Sequence, residues 1–137
     1  MVTPSNRSDS KNSLAGLIIL LVDDSADNRL LISYHLKKHG ATVDFAENGV
    51  EAQKSALSGS YDIVLMDIQM PVLDGYKATE QLRNQGYTVP IIALTAHTVD
   101  EVKQKCITAG YTDVISKPFD VQKFLTKIVS LVEAKKI

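Results

Sequence analysis

Apolar residues gather into five short runs along the chain, at residues 17–22, 42–46, 63–66, 91–94 and 112–115. Each has the length of a strand. The third, Ile63-Val64-Leu65-Met66, has the β-branched, unbroken apolar character of a strand buried on both faces. Between the runs the apolar positions switch to helical spacing. Ser25 or Asp27 caps a helix that runs to about His39 and stops at Gly40, with Leu31 and Leu36 inward and Ile32 and His35 alongside. Asn48-Gly49 turns into a second helix, to about Leu57, in which Ala52 and Ala56 stand one above the other. A third, from Tyr76 to about Gln85, pairs Ala78 with Leu82. A fourth, over 99–109, carries Val102, Cys106 and Ala109 at core spacing. The last, over about 121–134, has the strongest stripe: Val121, Phe124, Leu125, Ile128, Leu131 and Val132.

Strand and helix alternate five times, which predicts an α/β fold with a parallel sheet covered on both faces. Right-handed crossovers leave few topologies, and the flavodoxin-like (βα)5 doubly wound sheet, five-stranded with order 2-1-3-4-5, is the one expected at this length. Residues 1–15 are rich in Ser and Asn with almost nothing to bury, so they read as a disordered tail or linker before a domain over 16–137.

Composition excludes several classes. The chain has 137 residues, enough for one domain. A net charge of −1 leaves no electrostatic footprint for nucleic acid and no polybasic membrane surface. Cys106 is the single cysteine, so no internal disulfide forms, and a reducing cytoplasm suits the chain. No apolar run reaches membrane-spanning length, and the polar start lacks the core of a signal peptide.

The topology gives the chemistry its place. Strand carboxyl ends of a parallel sheet share one edge. The first strand brings Asp23 and Asp24 there, the third Asp67, the fourth Thr95 and the fifth Lys117. Each alone is commonplace; their joint arrival is not. Three carboxylates this close repel unless a cation neutralises them, and an all-oxygen set suits a hard ion such as Mg²⁺. A metal alone does not call for Lys117 and Thr95, but a phosphoryl group does, with Lys117 as the cation for its oxygens and Thr95 as a hydroxyl donor. Asp67 at the centre is then a carboxylate nucleophile able to form an acyl phosphate.

Four motifs carry a family resemblance: LLVDDS at 20–25, DIVLMDIQMPVLDG at 62–75, PIIALTA at 90–96 and SKPFD at 116–120. In content, order and spacing they resemble a response-regulator receiver domain of the chemotaxis-regulator type, over residues 18 to about 131. The resemblance implies a role in two-component phosphorelay signalling. Asp67 is then the phospho-acceptor, supplied by a phosphohistidine on a sensor histidine kinase or histidine phosphotransfer protein. Asp23 and Asp24 bind Mg²⁺, with Asp67 and the backbone carbonyl of Gln69 completing the ligands. Thr95 swings toward the phosphoryl oxygens and Lys117 pairs with them. The Lys117–Pro118 bond is implied to be cis. Gln69 and His97, two residues past Asp67 and Thr95, are candidate modulators of phosphoryl lifetime.

One position departs from the pattern. Many receivers place an aromatic residue three positions before the lysine, where this chain has Val114, so an aromatic rotamer switch is excluded there. Tyr111 is displaced by three residues and does not fill that role. His35 and His39 read as packing or surface residues and Cys106 as a small core residue. Two other readings remain. A metal-dependent aspartyl phosphatase usually needs an acid where Gln69 stands, and a phosphorylation-independent interaction module would not need the complete set of acids. No independent enzyme is expected beyond phosphorylation of Asp67 and its slow reversal. The chain ends just after the last helix without an output domain, which suits a stand-alone regulator or a receiver taken from a hybrid sensor kinase, acting on an unidentified downstream protein.

Overall fold

The computed structural model describes residues 13–117 and 120–136. Ten elements alternate in it: β1 (Ile18–Val22), α1 (Ala26–Lys38), β2 (Thr42–Ala46), α2 (Gly49–Ser58), β3 (Ile63–Asp67), α3 (Gly75–Asn84), β4 (Ile91–Thr95), α4 (Val99–Ala109), β5 (Asp113–Ser116) and α5 (Val121–Lys136). The strands form one parallel sheet in the order β2-β1-β3-β4-β5, the expected doubly wound topology.

Strand residues alternate between two cores, as a two-sided sheet requires. Leu20, Val22, Val64, Met66 and Ala93 face the side covered by α2, α3 and α4. Ile19, Leu21, Ile63, Leu65 and Leu94 face α1 and α5. On the first side Ala52, Ala56, Ala78 and Ala109 let the helices approach closely, and Leu82 and Cys106 fill the remaining depth. On the second, Phe124, Leu125, Ile128 and Val132 of α5 meet Ile32 and Leu36 of α1. The apolar stripe expected for the last helix is thus its buried face, with Val121 and Leu131 at the margin.

The helices start at the caps that short polar side chains predict. Ser25, Asn48 and Asp74 accept the backbone N–H of Asn28, Glu51 and Lys77, and Thr98 forms a reciprocal capping box with Glu101. All four caps close the loops that follow strand carboxyl ends, so capping also fixes where those loops of the upper edge end.

Three expectations need correction. Leu31 is 61% exposed, and Ser33 takes the inward place beside Ile32 and Leu36. Asp67 and Thr95 do not follow their strands but are the last residues of β3 and β4, which holds their backbones in the ladder. Packing also begins before residue 16. Leu14 is fully buried against the α1–α5 side and its N–H donates to the His39 carbonyl at 2.8 Å. The apolar content of 1–15 is low on average, but a single leucine is enough to anchor a turn onto the end of α1. The rest of the expected tail, residues 1–12, and the Lys117–Pro118 bond lie outside the described residues.

Candidate functional site

Sheet register decides which side chains meet. Val22 pairs with Met66, Asp67 with Leu94, and Thr95 with Ser116. The residues just beyond Val22, at Asp67, at Thr95 and just beyond Ser116 therefore end at one level. These are Asp23 with Asp24, Asp67, Thr95 and Lys117, the set singled out from the sequence.

The carboxylates of Asp23, Asp24 and Asp67 each offer an oxygen within 4.8 Å of the others. Asp23 is fully buried and Asp24 is exposed, with Asp67 between them. Burying a carboxylate is unfavourable unless its oxygens are satisfied. Asp23 meets this through Ser25 N–H, which donates to Oδ1 at 2.9 Å, and Lys117 Nζ, which donates to Oδ2 at 3.2 Å. The same ammonium lies 3.3 Å from Asp67 Oδ2. Lys117 thus bridges the two acids with its side chain only 20% exposed.

Opposing influences act on Asp67. Burial raises its pKa above the ordinary carboxylate value, Lys117 pulls it back, and the Asp23 charge pushes it up again; the net direction is upward. The Ile68 N–H beside the carboxylate favours the ionised form.

Thr95 is buried, and its Oγ1 accepts the His97 N–H at 3.0 Å. Its carbonyl accepts the Lys117 N–H at 2.6 Å. Ser116 Oγ donates to the His97 carbonyl, fastening the loop after β4 to the end of β5. His97 and Gln69 stand outside the acid cluster. Both line a neighbouring cleft of about 440 Å³ with Tyr76, Glu101 and Lys105, whose ammonium lies 4.5 Å from the Tyr76 ring centroid.

Other candidates fall where core logic puts them. Cys106 is fully buried, and His39 Nδ1 is 2.8 Å from the His35 carbonyl at the far end of α1. Val114 is buried in the core. Two residues were not legible as neighbours of the site. Arg29 Nη1 donates to the Asp23 carbonyl at 2.6 Å, and Tyr111 Oη lies 3.4 Å from the carbonyls of both Met66 and Asp67. Arg29 looks like an ordinary surface position of a helix, and Tyr111 like an aromatic core residue; neither spacing announces a contact with the strand ends.

The family model of the response regulator receiver domain matches residues 19–129. The chain belongs to this family. Over 116 residues the receiver is 36% identical to the sensor histidine kinase RcsC of Salmonella typhimurium, a match covering 85% of this chain and 12% of that protein. It spans 6–15% of the length of the histidine kinases it matches. Among solved structures it is similar to the receiver domain of sensor histidine kinase PA1611 from Pseudomonas aeruginosa, with 38% identity, a TM-score of 0.80 and coverage of 87% and 99% of the two chains. That receiver was crystallised with a magnesium ion coordinated in its active-site cleft. It also resembles the receiver domain of Ssk1 from Saccharomyces cerevisiae, in a co-crystal with the histidine phosphotransfer protein Ypd1, with 28% identity, a TM-score of 0.81 and coverage of 88% and 92%. No helix among the described residues is long and apolar enough to cross a membrane.

Proposed function

We propose that this receiver accepts a phosphoryl group on a carboxylate oxygen of Asp67, from a phosphohistidine on a sensor histidine kinase or histidine phosphotransfer protein. The observation that carries the reading is the position of Lys117 Nζ, 3.2 Å from Asp23 and 3.3 Å from Asp67. A lysine needed only for the fold has no reason to bridge the two most buried acids of a cluster.

The donor set fits Mg²⁺, since all three side chains that converge are carboxylates and no His or Cys is among them. Asp23, Asp24 and Asp67 would hold the ion with the backbone carbonyl of Gln69. When bound it supplies positive charge opposite the phosphoryl oxygens and relieves the mutual repulsion of the acids.

The transfer itself needs little covalent machinery. An Asp67 oxygen attacks phosphorus as the P–N bond of the phosphohistidine breaks. The bonding pair returns to the ring nitrogen, and a mixed anhydride is left on Asp67. Lys117 moves from a carboxylate partner to a phosphoryl oxygen, and Thr95 donates its hydroxyl to another. Gln69 and His97, which line the neighbouring cleft, are assigned the part of modulating how long the phosphoryl group survives. RcsC and the Ssk1–Ypd1 pair support the choice of partner class, and the compartment assigned to the receiver is the cytoplasm.

The modification replaces the single negative charge of the Asp67 carboxylate with a phosphoryl group of about −1.5 to −2, so the site gains up to about one negative charge and three acceptor oxygens. Drawing Thr95 and Lys117 inward shifts β4, α4 and β5, the face proposed to meet a downstream protein. To turn a mostly inactive population into a mostly active one, phosphorylation must favour the active state by about 5.5 kcal/mol.

The test is treatment of the protein and Mg²⁺ with a small phosphodonor such as phosphoramidate. Intact mass is expected to gain one phosphoryl group in the wild type and none in Asp67→Asn. No gain in the wild type, or equal gain in both, overturns the assignment. Sustained turnover of a phosphate ester would mark a phosphatase instead.

A further inference from the structure

Tyr111 occupies a corner that neither the acceptor chemistry nor ordinary core packing explains. It lies at the junction between α4 and β5, is 3% exposed, and its hydroxyl reaches across to β3, 3.4 Å from the carbonyls of Met66 and Asp67. A Phe would fill the same apolar volume against Tyr76, whose ring meets it edge-on at 6.3 Å. The extra oxygen is accommodated at a cost in sequence freedom: a Cβ at Gly75 would collide with the Tyr111 hydroxyl and the Asp67 carbonyl. Gly75 therefore keeps open the space in which phenol and carbonyl meet.

The peptide that the phenol touches is the one next to the acceptor. Its carbonyl belongs to Asp67. Its N–H, from Ile68, donates to the Leu94 carbonyl at 3.3 Å and also faces the Asp67 carboxylate. Tilting this peptide changes the direction of that N–H, and with it the charge density on the carboxylate. On the other side, Tyr111 is tied by its own N–H to the Cys106 carbonyl at the end of α4, at 3.0 Å.

We infer that Tyr111 is a positioning residue for the acceptor, its phenol holding the Asp67–Ile68 peptide and linking it to the α4–β5 junction. Burial raises the phenol pKa well above its ordinary value, so the group stays a donor at every working pH. Its single proton faces the two carbonyls and neighbours the Oγ1 of Thr79, a fully buried hydroxyl with no well-formed hydrogen bond. A proton shared among such partners is easily redistributed when the end of β3 moves. In a receiver with Val114 where an aromatic switch commonly stands, this contact is a buried, non-rotating route between Asp67 and the α4–β5 region.

The inference rests on Asp67 being the acceptor, and the experiment separates the two. Tyr111→Phe removes the oxygen and nothing else. It is expected to keep the fold, leave Mg²⁺ affinity nearly unchanged, and alter the rate of phosphorylation by phosphoramidate or the phosphoryl lifetime about two- to tenfold, the range set by one neutral buried hydrogen bond. The Ile68 amide ¹⁵N and ¹H shifts should move, while those of Ala93, also in the sheet, stay put. Replacing Tyr111 by 3-fluorotyrosine, a stronger donor of the same shape, should move rate and shift the opposite way. Equal rates, lifetimes and Ile68 shifts in wild type and Tyr111→Phe overturn the inference. Should Tyr111→Phe fail to fold, an unmoved Ile68 shift in the fluorinated protein does so. A wild type that takes no phosphoryl group overturns the function instead, and the Ile68 shifts still report on the hydrogen bond.

Discussion

The Lys117 N–H donates to the Thr95 carbonyl at 2.6 Å, so the residues proposed to grip the phosphoryl group share a main-chain hydrogen bond at the ends of β4 and β5. The Ser116 hydroxyl, bonded to the His97 carbonyl, adds a second tie between the same two segments. Hydroxyl and ammonium are therefore carried on one rigid corner. In the proposed switch a pull on Thr95 would reach the backbone of Lys117 through this bond, with no aromatic rotamer change needed at Val114.

Replacing Lys117 by Met should destabilise the receiver by about 1–3 kcal/mol, below the range for a fully buried pair because Lys117 retains some solvent contact. Asp23 has no solvent to fall back on and loses its counter-charge, while Asp67 is left with only influences that raise its pKa and the Ile68 N–H. Millimolar Mg²⁺ should recover much of the loss by neutralising the acids in place of the ammonium. Urea unfolding of both proteins with Mg²⁺ or with EDTA measures it; a variant as stable as the wild type in EDTA contradicts the proposed bridge.

Asp67 makes stability depend on pH in a definite direction. Its pKa is raised in the folded state above 3.8, so between that value and the folded pKa the native protein binds more protons than the unfolded chain. The favourable contribution is complete below 3.8 and is lost as the pH rises through the folded pKa. At neutral pH the ionised group therefore weakens the fold. Asp67→Asn, which cannot ionise, should be more stable than the wild type at pH 7 without Mg²⁺, on the order of 1 kcal/mol. The advantage should shrink toward pH 4. Thermal melts across that range decide the sign, and a wild type that gains on its variant with acidification no more than at neutrality removes the argument.

Most of the fold was legible because a doubly wound sheet writes itself as apolar runs separated by amphipathic helices. The site was legible because parallel strands deliver their last residues to one edge: Asp23, Asp67, Thr95 and Lys117 needed only topology to be brought together. What escaped depends on three-dimensional reach. Leu31 looks as apolar as Ile32, and only the crossing of α1 over the sheet turns Ser33 inward instead. Arg29 reaches back to the Asp23 carbonyl in the loop before its own helix, and Tyr111 reaches the Asp67 carbonyl of β3, 44 positions away. No local period encodes such a contact.

Leu14 gives the boundary of the folded unit a measurable meaning. It is fully buried, its N–H is bonded to His39, and its carbonyl accepts the Leu17 N–H at 3.0 Å. Leu14→Ala should cost about 2–4 kcal/mol, as for other buried leucines. Leu31→Ala, at an exposed position expected from sequence to be inward, should stay within about 0.5 kcal/mol of the wild type. Chemical denaturation of the two variants side by side is the measurement. The reverse ranking would return the domain start to residue 16 and Leu31 to the core.

Val72, in the loop between Asp67 and α3, has φ 72 and is 80% exposed. A left-handed backbone is costly for any residue with a Cβ, and more so for a β-branched one. The loop enforces it from both sides. Leu73 N–H donates to the Pro71 carbonyl at 2.8 Å, and Gly75 N–H to the Ile68 carbonyl at 2.7 Å, closing the turn around Val72. The i→i+2 bond from Leu73 to Pro71 at positive φ makes Val72 the centre of a strained γ-turn. Val72→Gly, which removes the Cβ, should stabilise the receiver by about 1 kcal/mol, less the cost of glycine's greater freedom in the unfolded chain. Val72→Ala, which keeps a Cβ but is not β-branched, should gain less. The order Gly, then Ala, then Val in melting temperature is the expected result. A wild type that melts above both variants would mean that Val72 makes compensating contacts despite its exposure.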